Sequence, residues 1–203
     1  MTVTETAPTG TERWTHQWKE LYEEVINTGL CTGCAGCVIS CPHEVIGYKH
    51  EEGNYKPFHI EEELGIDNCT HGEKGCTSCT RACPRFRSWE PEADMHLFGK
   101  VREDSQMYGQ YKQLLLVRAA DDKVHELGQD GGFVSAMLIW LMENDYIEGA
   151  MVSGVEPDDA WKAKPVLVRT PDEVLATAGS RYTYCANPLA LKEAKELGLT
   201  KLA

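Results

Sequence analysis

The chain has 203 residues, of which 32 are Asp or Glu and 20 are Lys or Arg, giving a formal net charge of -12. An acidic balance of this size argues against a general nucleic-acid binder, which carries a basic surplus. No apolar run approaches the roughly 18 residues of a membrane span, and Met1 to Gly10 lacks the basic and apolar regions of an export signal.

With no such signal, a cytoplasmic, reducing setting is expected for the nine cysteines, and clustered thiols there read as metal ligands rather than disulfides. Residues 1–13 are rich in Thr, Pro and Glu without periodicity and are expected to be a disordered tail. Trp14, Trp18, Leu21, Tyr22, Val25 and Ile26 then recur at helical spacing, with Thr15 as the expected cap and Gly29 as the stop. Within 14–90 lie eight cysteines among glycines and prolines, with no long periodic segment after the first helix. Metal is expected to stand in for a hydrophobic core there. Residues 91–109 read as a linker or docking segment.

From Gln110 the pattern changes. Leu114 to Arg118 reads as a buried strand. Gly131 to Asn144 reads as a helix, apolar on nearly every face and so expected to be buried on both sides. Ala150–Gly154 and Pro165–Arg169 read as strands. Thr170 to Glu173 forms a capping box with Pro171 at the first helical position. Asn187-Pro188 opens a further helix that Gly198 ends. Strands alternating with helices indicate an α/β domain with some parallel pairing. Leu199 to Ala203 reads as the first half of a strand. This suggests a truncated domain or one completed by a partner; an ordinary edge strand is the alternative. The expected class is therefore α+β: a ferredoxin-like domain over 14–90, the linker 91–109, and an α/β domain over 110–203 truncated at its C-terminus.

The cysteine grammar is specific. Cys31, Cys34, Cys37 and Cys41 follow the spacing of a bacterial ferredoxin run ending in Cys-Pro. Cys69, Cys76, Cys79 and Cys83 repeat its end, while a loop from Thr70 to Gly75 replaces the first two-residue spacer. Zinc sites favour two separated cysteine pairs instead. Two such half-motifs imply two [4Fe–4S] clusters with crossed ligation: Cys31, Cys34, Cys37 and Cys83 for one, and Cys69, Cys76, Cys79 and Cys41 for the other. Cys185 stands apart and reads as an inert thiol. His71 reads as a solvated loop residue, with a ligand or proton relay as the alternatives. Arg81, Arg85 and Arg87 form a local basic patch, read equally as a solvated face or as a site for an anionic cofactor or partner.

Gly128 to Gly132 lies between the first strand and the long helix. Glycines there let backbone amides approach a phosphate at a helix start, but a plain turn fits as well.

The order of segments resembles a known family. A ferredoxin module is followed by Gly128-Gln-Asp-Gly-Gly-Phe-Val-Ser135, then Tyr146 to Val152, then Ala178-Gly-Ser-Arg-Tyr182. This is similar to the beta subunit of coenzyme F420 hydrogenases and dehydrogenases. The resemblance implies an oxidoreductase module with FAD, and coenzyme F420 as substrate. It places Gln129, Asp130, Gly131 and Gly132, with Ser180, Arg181 and Tyr182, at the flavin. It also implies a redox partner protein or catalytic subunit, with no nucleic acid and no membrane span. A flavin-free ferredoxin-type carrier whose α/β half docks partners is the alternative, and a zinc-stabilised interaction module is a third reading.

Overall fold

The computed structural model describes residues 14–50, 54–60 and 69–203. The expected tail, 1–13, lies outside the described residues. The chain divides into two compact units, Met1–Cys31 with His59–Leu114, and Thr32–Phe58 with Leu115–Ala203. The division runs through the first cysteine motif and not through the stretch read as a linker. The reason is packing: the short helix that carries Cys37 lies against the 3₁₀ turn Asn187–Ala190.

In the first unit, helix α1 (Trp18–Leu21) continues into a π-helical turn, Tyr22–Ile26. Gln17, not Thr15, stands at its cap, because the Glu20 carboxylate reaches back to accept from the Gln17 backbone N–H at 2.9 Å. Trp18, Leu21, Val25 and Ile26 are buried, which is the face the sequence spacing marks. Helices α3 (Thr70–Glu73) and α4 (Ser78–Arg81) come from the second cysteine motif, and α1 packs on α4. Helix α5 (Glu90–Phe98) occupies the stretch read as a linker. It ends on Gly99 at φ 73°. The turn beyond it is tied back by a two-pronged pair, Arg102 Nε to Asp94 Oδ2 at 2.6 Å and Nη2 to Oδ1 at 2.8 Å.

The second unit opens with helix α2 (Gly36–Ile39) and strand β1 (Ile46–Tyr48). β1 pairs with β2 (Pro57–His59), at whose end the chain leaves this unit. After helix α6 (Asp122–Leu127) come α7 (Phe133–Glu143), strands β3 (Ala150–Glu156) and β4 (Asp159–Val168), α8 (Pro171–Ala176) and α9 (Leu191–Glu196). β3 and β4 form an antiparallel hairpin in which Ala150 faces Val168 and Val155 faces Ala163. The expected parallel pairing is thus confined, among the described residues, to one bridge between Gly149 and Leu202. Met151 and Ala203 extend it, since the Met151 N–H donates to the Ala203 carbonyl at 2.8 Å. Side chains alternate across the hairpin. Ala150 and Val168 face Leu138 of α7 and Val174 of α8, while Leu167 faces Ala190 and Ala194 on the other side. The capping box at Thr170 and Glu173 forms as expected.

Two expectations fail here. Leu114 to Val117 is not a strand: it is extended chain in which Leu114 and Leu116 are 88% and 105% exposed. Both edges of β3 are taken, by β4 and by the segment ending at Ala203, and Leu114–Val117 pairs with no strand among the described residues. Helix α7 is not buried on both sides either. Leu138 faces the hairpin, but Phe133, Val134, Met137 and Trp140 are exposed along the opposite face. An apolar composition set this helix's character without setting what covers it. Among the described residues no helix is long and apolar enough to cross a membrane.

Candidate functional site

The two cysteine motifs build the same local turn. In the first, the Ile39 N–H donates to the Ala35 carbonyl, Ser40 to Gly36, Cys41 to Val38 and Glu44 to Cys41. In the second, Arg81 donates to Thr77, Ala82 to Ser78, Cys83 to Thr80 and Phe86 to Cys83. Each motif therefore presents its middle cysteine, Cys37 or Cys79, on one buried helical turn and its last cysteine at the exit, just before proline. No disulfide joins the nine cysteines.

Their surroundings differ. Around the first motif Gly33 sits at φ 69° and Ala35 at φ 60°. A Cβ on Gly33 would stand 2.6 Å from the Tyr55 carbonyl and 2.9 Å from the Tyr48 hydroxyl, and that hydroxyl donates to the Gly33 carbonyl at 2.6 Å. Around the second motif Thr80 is fully buried. Its hydroxyl accepts from Trp14 Nε1 at 2.9 Å and donates to the His16 carbonyl at 2.7 Å. The inserted loop folds into α3, and the His71 carbonyl accepts from the Cys76 N–H at 3.0 Å. His71 thus helps to set a cysteine through its backbone. Of the basic patch, Arg81 donates to Thr77 Oγ1, and Arg87 lies over the Trp14 ring and 3.8 Å from Glu92.

The donor set fits iron–sulfur clusters: eight thiols in two runs, each with a helical turn that carries its third cysteine. Among the described residues, no three His, Cys, Asp or Glu side chains converge at the spacing of a single metal ion. A cubane asks for something wider, because its four thiolates bind four separate irons.

The second site lies in the second unit. Asp130, Gly131 and Gly132 are left-handed in succession, at φ 54°, 84° and 69°. The glycines are required by packing alone. A Cβ on Gly132 would stand 2.6 Å from the Val124 carbonyl, and one on Gly131 would stand 3.1 Å from Arg118 Cβ. The functional signal is carried instead by Gln129. Its carboxamide oxygen accepts from the Ser180 N–H at 3.1 Å, and its Nε2 donates to the Tyr182 hydroxyl at 2.6 Å. The two segments picked out in the sequence are thereby brought together. Between them Arg181 has a buried Nε with no hydrogen-bond partner, while its Nη atoms donate at long range, 3.4 and 3.5 Å to the Ala178 carbonyl and 3.5 Å to the Ser180 carbonyl. This under-satisfied fork, beside exposed Gln129 and Ser180, suits the phosphate of a nucleotide.

Sequence reasoning missed two neighbours. Arg118 lies against Gly131, and its Nη1 stands 3.2 Å from His125 Nδ1. An arginine closing an apolar run before a glycine turn was the available signal. Cys185 is half-buried; burial raises its thiol above the ordinary value of 9.0, and the nearby Ser153 hydroxyl opposes that.

Repeated cysteine turns in a chain of mixed helices and small sheets define an iron–sulfur electron-transfer class of module, and sequence comparison narrows it. Residues 30–86 match the 4Fe-4S dicluster domain, and residues 114–192 match the coenzyme F420 hydrogenase/dehydrogenase beta subunit N-terminal region. The chain belongs to this beta-subunit family. It is 32% identical to the coenzyme F420-dependent sulfite reductase of Methanocaldococcus jannaschii over 93% of its own length and 25% of that protein's. It is 39% identical to the coenzyme F420 hydrogenase subunit beta of Methanothermobacter thermautotrophicus over 46% of its length and 34% of that subunit's. A chain of the F420-reducing [NiFe] hydrogenase complex from Methanosarcina barkeri is 35% identical, with a TM-score of 0.40 over 42% of this chain and 29% of that one. The chain thus spans about a quarter to a third of these relatives.

Proposed function

We propose that the chain is the electron-transfer module of a coenzyme F420-dependent oxidoreductase. In this reading FAD stands between the deazaflavin and two [4Fe–4S] clusters, which pass electrons to or from a partner subunit or domain. The observation that carries the flavin is the Gln129 clamp on Ser180 and Tyr182, with the under-satisfied Arg181 fork between them. A flavin exchanges hydride as an electron pair and single electrons in turn, which is the conversion between a deazaflavin and an iron–sulfur cluster. Arg181 holds the nucleotide's phosphate charge, and Gln129 fixes the segment that carries Arg181 beside the left-handed turn at Asp130–Gly132. The eight cysteines hold the clusters in the crossed sets Cys31, Cys34, Cys37, Cys83 and Cys69, Cys76, Cys79, Cys41.

The test is flavin content and affinity in the anaerobically purified holoprotein. Arg181→Ala and Gln129→Ala lower FAD binding and slow deazaflavin-dependent dye reduction while iron content stays whole. Wild-type flavin occupancy in both variants refutes the site. Gly132→Leu is the wrong probe, because the Val124 carbonyl would clash with it whether or not a flavin binds.

A second reading, a flavin-free carrier that docks partners through this half, draws on the exposed apolar residues of Leu114–Val117 and of α7. Iron-replete protein that takes up no FAD at all decides for it.

A further inference from the structure

The segment that Gln129 clamps does not stop at Tyr182. Two residues on, the Tyr184 ring stacks on the Tyr55 ring, with centroids 5.5 Å apart and planes 20° from parallel. Tyr55 is itself built into the first cysteine turn, since its carbonyl oxygen fills the space that a Cβ on Gly33 would need. Past Tyr184 the same segment reaches buried Ala186 and then Asn187–Ala190, on which α2, the helix of Cys37, packs. One strap therefore runs from the Gln129 clamp to the Cys31–Cys41 turn and touches it twice. Apolar packing explains the second contact. It does not explain the first, because Tyr184 is 58% exposed and belongs to neither apolar core cluster of this unit.

We infer that Tyr184 and Tyr55 are positioning residues that couple the flavin-binding segment to the cluster proposed for Cys31, Cys34 and Cys37. The inference rests on the flavin reading above. What Tyr184 positions is the backbone between Arg181 and Cys185, and what Tyr55 positions is the turn at Gly33 and Cys34. A nucleotide that draws in Arg181 pulls on the strap, and the stack passes that displacement to the turn around the first cluster. The cysteines at Cys69–Cys83 belong to the other unit and are not joined to this strap by the stack.

The probe is FAD added to flavin-depleted, iron-replete holoprotein. Two readouts are taken: quenching of FAD fluorescence for binding, and the electron paramagnetic resonance of the dithionite-reduced clusters. FAD is expected to shift one cluster's signal, the one that Cys37→Ser removes. Tyr184→Ala is expected to abolish the shift while both clusters and FAD binding persist, and Tyr184→Phe, which keeps the ring, to restore it. Tyr55→Ala must reproduce the loss from the far side of the stack, which keeps the inference testable even where Cys37→Ser fails to fold. A shift that survives Tyr184→Ala overturns the inference. So does a shift confined to the cluster that Cys79→Ser removes, or FAD that binds and shifts neither signal. FAD that does not bind the wild-type protein overturns the flavin reading itself, and the quenching readout shows which of the two has failed.

Discussion

The two cysteine motifs share a hydrogen-bond pattern residue for residue, yet they are embedded in different chemistry. The first rests on tyrosines, Tyr48 and Tyr55, through a left-handed glycine. The second rests on a buried threonine that ties Trp14 and His16. The turn follows from the Cys-x-x-Cys-x-x-x-Cys-Pro spacing, because each cysteine must be offered to metal within a few residues of the last. What lies around the turn is set by distant parts of the chain, so two similar turns sit in different surroundings.

The sharpest way to break this comparison is to remove one ligand from each motif. Cys37→Ser and Cys79→Ser should each reduce iron from about eight to about four per chain, as two four-iron clusters require. They should remove different signals. Loss of all iron in either variant would mean that the two motifs form one cooperative site. Iron already near four in the wild type would mean that the inserted loop at Thr70–Gly75 has cost the second motif its cluster.

This half of the molecule was legible in the sequence because ligand spacing is local. The later part of the chain was legible where caps and turns decide, at Thr170–Glu173 and at Gly198, whose φ is 70°. It was not legible where burial depends on a neighbour. Leu114 to Val117 has strand composition but pairs with no strand among the described residues, and composition does not say which edge a segment will meet. The Gln129 clamp joins residues that only a family resemblance had put side by side. The Tyr55–Tyr184 stack spans the chain and leaves no trace in any local pattern.

Glycines sharpen the comparison next. Gly33 and Gly75 are both left-handed, at φ 69° and 96°. A Cβ on Gly33 meets the Tyr55 carbonyl at 2.6 Å, whereas one on Gly75 meets nothing within 4 Å. Gly75→Ala should therefore cost only the backbone strain, about 1 to 2 kcal/mol, and keep its cluster. Gly33→Ala should cost more, because backbone must move as well, and should loosen the first cluster selectively. Thermal midpoints and iron content check both. Equal effects would mean that the Tyr55 contact does not hold the turn.

Thr80→Val tests the other motif's support. The change keeps the shape but leaves Trp14 Nε1 without its acceptor, for a loss of about 1 to 3 kcal/mol in denaturant unfolding. The first motif has Val38 at the matching position, so no such hydroxyl is available there.

The units also fasten their chain with different carboxylates. In the first, hydrogen bonds from the Arg102 side chain hold Asp94 down to about 2, from an ordinary 3.8. In the second, the backbone N–H groups of Thr200 and Lys201 hold Glu148 below its ordinary 4.5. For both, the folded value lies under the unfolded one, so the unfolded chain takes up the proton first as pH falls. Asp94's contribution should be complete above about pH 4 and disappear as pH falls toward 2. Asp94→Asn should lower the unfolding midpoint at neutral pH, with the gap to wild type closing over that acid range. A gap that closes near neutral pH would show that another group is responsible.

The smallest expected effect belongs to Cys185, the thiol that neither motif claims. It follows Tyr184 directly and lies in the unit that holds Cys34, Cys37 and Cys41, so position alone does not exclude it as a substitute ligand. Chemistry does. In the proposed assignment the eight other cysteines fill two four-thiolate sets, which leaves no position for a ninth. Burial raises the Cys185 thiol above 9.0, and the thiolate is the reactive form. Cys185→Ser should leave iron content and both cluster signals unchanged. Alkylation of the wild-type thiol should be slow at pH 7 and quicken only as pH passes 9. Loss of one cluster in Cys185→Ser would show that the crossed sets are incomplete, and that the strap from Gln129 to the first motif carries a ligand as well as a pair of stacked rings.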